Sequence, residues 1–169
     1  MKVEERARLK ENPTPTEEEL YLGVFLESLE PQVRAAVRTM FEKGYATQSS
    51  GFHGQDYDVQ MIDGYFTVDD ETKEALHEIS VEVLRGADIG LPKNELITII
   101  RYRAKNPSMS EMKDHWDAIA ALLPKKALPN GIRPISDRAE EFREEYAPVH
   151  PSLDPARAAY FAYLRSTAH

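Results

Sequence analysis

The sequence predicts an α+β fold: a mainly antiparallel sheet of about four strands, arranged as two hairpins, with helices packed on it as a two-layer sandwich. Three observations carry this. Apolar residues recur at i, i+3, i+4 and i+7 in several segments, which is the stripe of a half-buried helix. Between them lie short alternating or β-branched runs that come in two pairs, with a helical segment separating the pairs. No spacing of solenoid length repeats. The second and third strands flank a helix, so a parallel pair with a right-handed crossover stays open beside the antiparallel reading.

The chain of 169 residues suits one domain with appendages. Residues 1–15 read as a mobile arm, 16–147 as the α+β domain, and 148–169 as a proline-rich connector with a C-terminal helix. Hydrophobic residues make up 41% and charged residues 30%, an ordinary globular balance. The net charge of -8 opposes nucleic-acid binding through the whole surface. There is no cysteine, which excludes disulfides and thiolate chemistry. The N-terminus lacks an apolar h-region, and no apolar run approaches the roughly 18 residues of a membrane span. A cytoplasmic location without membrane contact follows by elimination.

Taken in order, Thr16-x-x-Glu19 is a capping box that opens a helix through Leu22, Phe25, Leu26 and Leu29. Pro31 restarts the chain as a second helix. Its stripe is Val33, Ala36, Val37, Met40 and Phe41, and Gly44 stops it. Tyr45–Ser50 reads as a short strand, Gly51-Phe52-His53-Gly54 as a turn, and Asp58–Phe66 as the returning strand. Asp69 or Asp70 caps a third helix with Ala75, Leu76 and Ile79. A strand at Val81–Val83 and a loop at Gly86–Pro92 follow. Glu95–Arg103 is the strongest strand. Its nearly continuous apolar stretch at Leu96–Ile100 predicts a central position covered on both sides. Ser108-x-x-Glu111 is a second capping box. The helix behind it carries Met112, Trp116, Ile119, Ala120 and Leu123 on one face and ends at Pro124. Ser136 starts a short helix with Ala139, Phe142 and Tyr146. Pro148 and Pro151 stiffen the connector, and Asp154-Pro155 opens the last helix, whose payload is Tyr160, Phe161, Tyr163 and Leu164.

The densest run of reactive groups spans Ser49 to Asp63. Ser49, Ser50, Gly51 and Gly54 offer hydroxyls and accessible backbone amides to an anion. Histidine is the residue type suited to acid–base work near neutral pH, and Ser50 with His53 is the candidate nucleophile and base, oriented by Asp56, Asp58 or Asp63. No Gly-x-Ser-x-Gly elbow surrounds Ser50. His53 with the three aspartates also supplies metal donors, although no recognised metal-binding spacing is present and no cofactor is indicated. Arg101 and Arg103 share one face of their strand, with Arg85 ending the strand before. These guanidinium groups suit an anion clamp, or else plain ion pairs with the many carboxylates. Phe52, Tyr57 and the arginines would make a stacking surface for single-stranded nucleic acid, which the acidic total opposes.

Two readings follow. The first is a small binding or interaction protein, self-associating or meeting a protein partner through its C-terminal helix, with a small-anion site at the 49–56 tip. The second is an enzyme acting on a phosphorylated or carboxylated small molecule, using Ser50, His53, Arg101 and Arg103. Both anion readings need the tip and the arginine strand to open onto one cleft.

Overall fold

In the computed structural model the described residues are 16–22, 26, 29–53, 56–89, 96–105, 108–136 and 153–167. The expected N-terminal arm, Gly54, the helix after Ser136 and the prolines Pro148 and Pro151 lie outside them. Helix α1 spans Glu17–Leu22 and helix α2 spans Arg34–Glu42. Strand β1 is Ala46–His53 and β2 is Asp56–Tyr65. Helix α3 is Asp70–Glu78, strand β3 is Glu82–Arg85, and a 3-10 turn follows at Gly86–Ile89. Strand β4 is Thr98–Arg103, helix α4 is Met109–Leu122, and α5 is Leu153–Thr167.

Local chemistry explains the boundaries. The first capping box forms in full: the Glu19 amide donates to Thr16 Oγ1 at 3.2 Å, and the Thr16 amide donates to Glu19 Oε2 at 3.3 Å. Ser108 accepts from the Glu111 amide at 3.2 Å and starts α4. Asp69 accepts from the Thr72 amide at 2.7 Å and starts α3. Gly44 takes φ +93° after α2, where its amide and that of Tyr45 close onto Phe41 and Met40 carbonyls. The C-terminal end of α4 is closed from a distance. Lys43 Nζ donates to the carbonyls of Ala120 at 2.7 Å, Ala121 at 3.2 Å and Leu123 at 2.7 Å.

The sheet order is β1-β2-β4-β3, with every neighbouring pair antiparallel. The two hairpins lie side by side, and the last strand of each is central. The parallel alternative is therefore excluded: β2 bonds to β4, and β3 lies beyond it at the edge. Ile62 stands opposite Ile100 and faces the main core with Val37, Met40, Leu76, Trp116, Ile119 and Leu123. The next residues along, Met61 and Ile99, face the other side. There Ala46, Tyr65, Ile97 and Ile135 meet Tyr160 and Leu164 of α5. The nearly continuous apolar run into β4 thus serves two faces, Ile100 the main core and Ile97 and Ile99 the other, as its composition predicts. Burial of two apolar faces is what holds the sheet. The strand itself begins only at Thr98, later than expected; Ile97 instead accepts from the Gly86 amide at 2.9 Å and closes the second hairpin.

The first hairpin differs from expectation in its turn. Gly51, Phe52 and His53 remain in β1, and His53 stands opposite Asp56. The backbone passes Gly51 at φ +108°, a conformation open to glycine. The serines therefore sit within a strand rather than on a long tip.

Candidate functional site

Pairing register separates the expected site. Ser50 stands opposite Ile62, on the face of the main core, whereas Arg101 stands opposite Met61 and Arg103 opposite Val59, on the other face. Side chains alternate across a strand, so the candidate nucleophile and the clamp point away from each other. Ser49 shares the arginine face, and its amide donates to Asp63 Oδ1 at 3.0 Å. His53 is exposed at the hairpin end. Arg101 Nε meets Glu82 Oε2 at 2.8 Å, and Arg103 meets Asp58 Oδ2 at 2.5 Å. Asp58, expected as a partner for His53, is engaged by Arg103 instead. The plain ion-pair reading of these arginines is the one realised.

The tip also has an internal anion of its own. The Phe52 amide donates to Glu30 Oε2 at 2.8 Å. The same carboxylate oxygen lies 1.6 Å from where a Cβ on Gly51 would stand. Glycine is favoured at this position by its φ of +108°, and Glu30 occupies the space a side chain would take. The Phe52 amide, next to the expected donor Gly51, thus already serves the chain's own carboxylate.

Arg85 belongs elsewhere. It stands opposite Thr98, while Arg101 stands opposite Glu82, so three β4 residues, roughly 10 Å, separate the two rows. At the Thr98 end of the sheet, a polar hollow of about 350 Å³ is lined by Thr67, Asp69, Lys73, Arg85, Thr98 and Lys126, with Thr167 of α5 at its margin. It sits at the N-terminal end of α3, where the helix dipole is positive. Lys126 Nζ donates to the Thr67 carbonyl and, at 3.1 Å, to Thr67 Oγ1. Its ammonium lies 5.1 Å from the centre of the Tyr45 ring. Burial pushes the Lys126 pKa down, partly opposed by Asp69. Asp69 itself is held below the usual carboxylate range, chiefly by the Thr72 amide. Lys73 lies 3.9 Å from Asp70. The hollow therefore combines three cations with two carboxylates, one of them committed to capping α3.

A second hollow, of about 430 Å³, lies at the opposite end of β4. It is mostly apolar, with Ile79, Tyr102, Ala104, Met112, His115 and Ala118 as walls and Lys105 and Glu111 at the rim. The Tyr102 and His115 rings stack with centroids 4.1 Å apart. Among the described residues no group of histidines and carboxylates could hold a metal ion.

Sequence reasoning grouped Arg85 with the wrong arginines and passed over Lys126 and Lys73. Lys126 stands in a proline-bounded turn with no local motif. Its role comes from contact with Thr67, 59 positions away along the chain. The chain matches no family model, and neither a curated protein nor a solved structure is significantly similar to it.

Proposed function

We propose that this protein binds a small oxyanion, phosphate or the phosphate or carboxylate of a small metabolite, in the polar hollow at the start of α3. The supporting observation is the convergence of Lys73, Arg85 and Lys126 on one concave space beside helix-terminal amides. Threonine side chains surround the same space. The anion reading first attached to residues 49–56 thus moves to the other end of the sheet. There Arg85 takes the part expected of Arg101 and Arg103. Catalysis by Ser50 and His53 is not part of the proposal, because Ser50 and the arginines occupy opposite faces. Nor is assembly through α5: Tyr160 and Leu164 are buried against the chain's own sheet, with Phe161 and Tyr163 packed beside them. No helix among the described residues is long and apolar enough to cross a membrane.

Titration with inorganic phosphate, followed by heat and by backbone amide shifts at residues 67–73, tests this reading. Saturable binding is expected, weakened about ten-fold or more by Arg85→Met, since one charge-assisted hydrogen bond contributes roughly 1.5–3 kcal/mol. Binding that is unchanged in Arg85→Met and Lys73→Met, or whose shifts cluster at residues 49–56, would overturn it.

A further inference from the structure

We infer a second, independent ligand site in the apolar hollow at the C-terminal end of β4, shaped for a one-ring aromatic monocarboxylate. The walls come from parts that each have a separate reason to be there. Tyr102 is buried against Trp116, with ring centroids 5.3 Å apart at 66°. His115 stacks on its other neighbour side and forms a hydrogen bond with the Ile79 backbone. The space beside them stays open because the facing side chains are small or turned aside. Ala104 and Ala118 supply only methyl groups, and Ser80, at φ +63°, swings the chain from α3 into β3. A flat hydrocarbon body would lie against Ile79, Ala104, His115 and Ala118, with the buried Met112 and Tyr102 behind them.

Charge selects the rest of the ligand. Burial lowers the His115 pKa, so its imidazole is neutral at pH 7 and the walls carry no charge. Lys105 brings positive charge to the rim, whereas Arg103 is held by Asp58 at 2.5 Å. Glu111 is the single carboxylate among the lining residues. A carboxylate placed at Lys105 keeps its charge near solvent while its ring is buried, which avoids the cost of burying an ion. A volume of about 430 Å³ lies at the small end of ligand pockets and suits one ring with a short acid arm. An amine would meet Lys105 with like charge. A free phosphate would gain nothing from the apolar walls.

The test uses the full chain and 3-phenylpropanoate as probe, with 3-phenylpropanamide and 2-phenylethylamine as comparators. His115 ring protons and the Met112 and Ala118 methyl signals report the site. Saturable shifts are expected for the acid, with affinity at least ten-fold weaker for the amide and weaker still for the amine. Lys105→Gln should weaken the acid to the level of the amide, and Ala118→Leu should fill the hollow and abolish binding. Phosphate binding at α3 should be unaffected by either variant, so this site and the proposed anion site stand or fall separately. Equal affinity for acid and amine, shifts that never saturate, or unchanged binding in Lys105→Gln would overturn the inference. Lys105 is exposed, so that variant decides the matter even if Ala118→Leu does not fold.

Discussion

The two hollows at the ends of β4 are built in opposite ways. The one at Tyr102 is walled by the main core: Tyr102 packs on Trp116, and α4 supplies Met112, His115 and Ala118. The one at Thr98 is made of chain ends and turns: the cap of α3, the turn after α4, the end of β3 and the last residue of α5 described here. Core walls are rigid because close packing resists displacement. Walls made of caps and turns rest on a few hydrogen bonds, each of modest net strength. The comparison predicts that core damage reaches the first hollow, whereas loss of a single cap is felt in the second.

The largest expected effect comes from Trp116→Ala. Trp116 is fully buried, and its Nε1 donates to Gln60 Oε1 at 3.1 Å. Removal should cost about 3–5 kcal/mol in chemical denaturation. It should also broaden the His115 and Met112 signals, while the amides at 67–73 move little in whatever fraction stays folded. Equal disturbance at both ends would end the distinction between them.

A smaller effect reports on the polar hollow through pH. Burial pushes Tyr45, beside the polar hollow, up to about 12 from its ordinary 10.0, with Asp69 adding to the shift. The unfolded chain ionises this tyrosine near pH 10 while the native state keeps its proton, so stability falls between about pH 10 and 12. Lys126 acts with the opposite slope below that range. Its native pKa lies below the ordinary 10.5, so the native state releases the proton first and stability rises with pH until the unfolded chain follows. Denaturation midpoints from pH 8 to 11 should therefore show a rise and then a fall. Tyr45→Phe should make the falling limb shallower, the rest of it belonging to Tyr102 and Tyr160, which burial also raises, and Lys126→Met should flatten the rising one. Both slopes unchanged in these variants would refute the assignment.

The smallest effect is the cap itself. Asp69→Ala should lower stability by about 1 kcal/mol, the usual magnitude for an N-cap. It also removes a carboxylate from the polar hollow, so phosphate should bind more tightly in the weaker protein. A parallel loss of stability and affinity would show that the cap, rather than the charge, governs the site.

The contrast between the two ends was only partly legible beforehand. The capping residues Thr16, Asp69 and Ser108 and the buried face of α4 could be read directly, because hydrogen bonds over three residues and a 3.6-residue period are local facts. The pair of hairpins and the two-faced burial of β4 followed from the same reasoning. The proposed anion site did not. Ser49, Ser50 and His53 drew notice for being close in sequence, yet strand alternation turns Ser50 from the arginines, and Glu30 fills the place by Gly51.

What the sequence alone determined, then, is the caps that open the helices at Thr16, Asp69 and Ser108, which faces are apolar, and that the fold is α+β. The tertiary structure alone decided which charges meet. Arg101 and Arg103 found Glu82 and Asp58 across neighbouring strands, Lys43 reached the end of α4, and Lys126 reached Thr67. Local hydrogen bonding and hydrophobic period depend on residues a turn or two apart. The company a charged side chain keeps depends on strand order and register, which no single segment encodes.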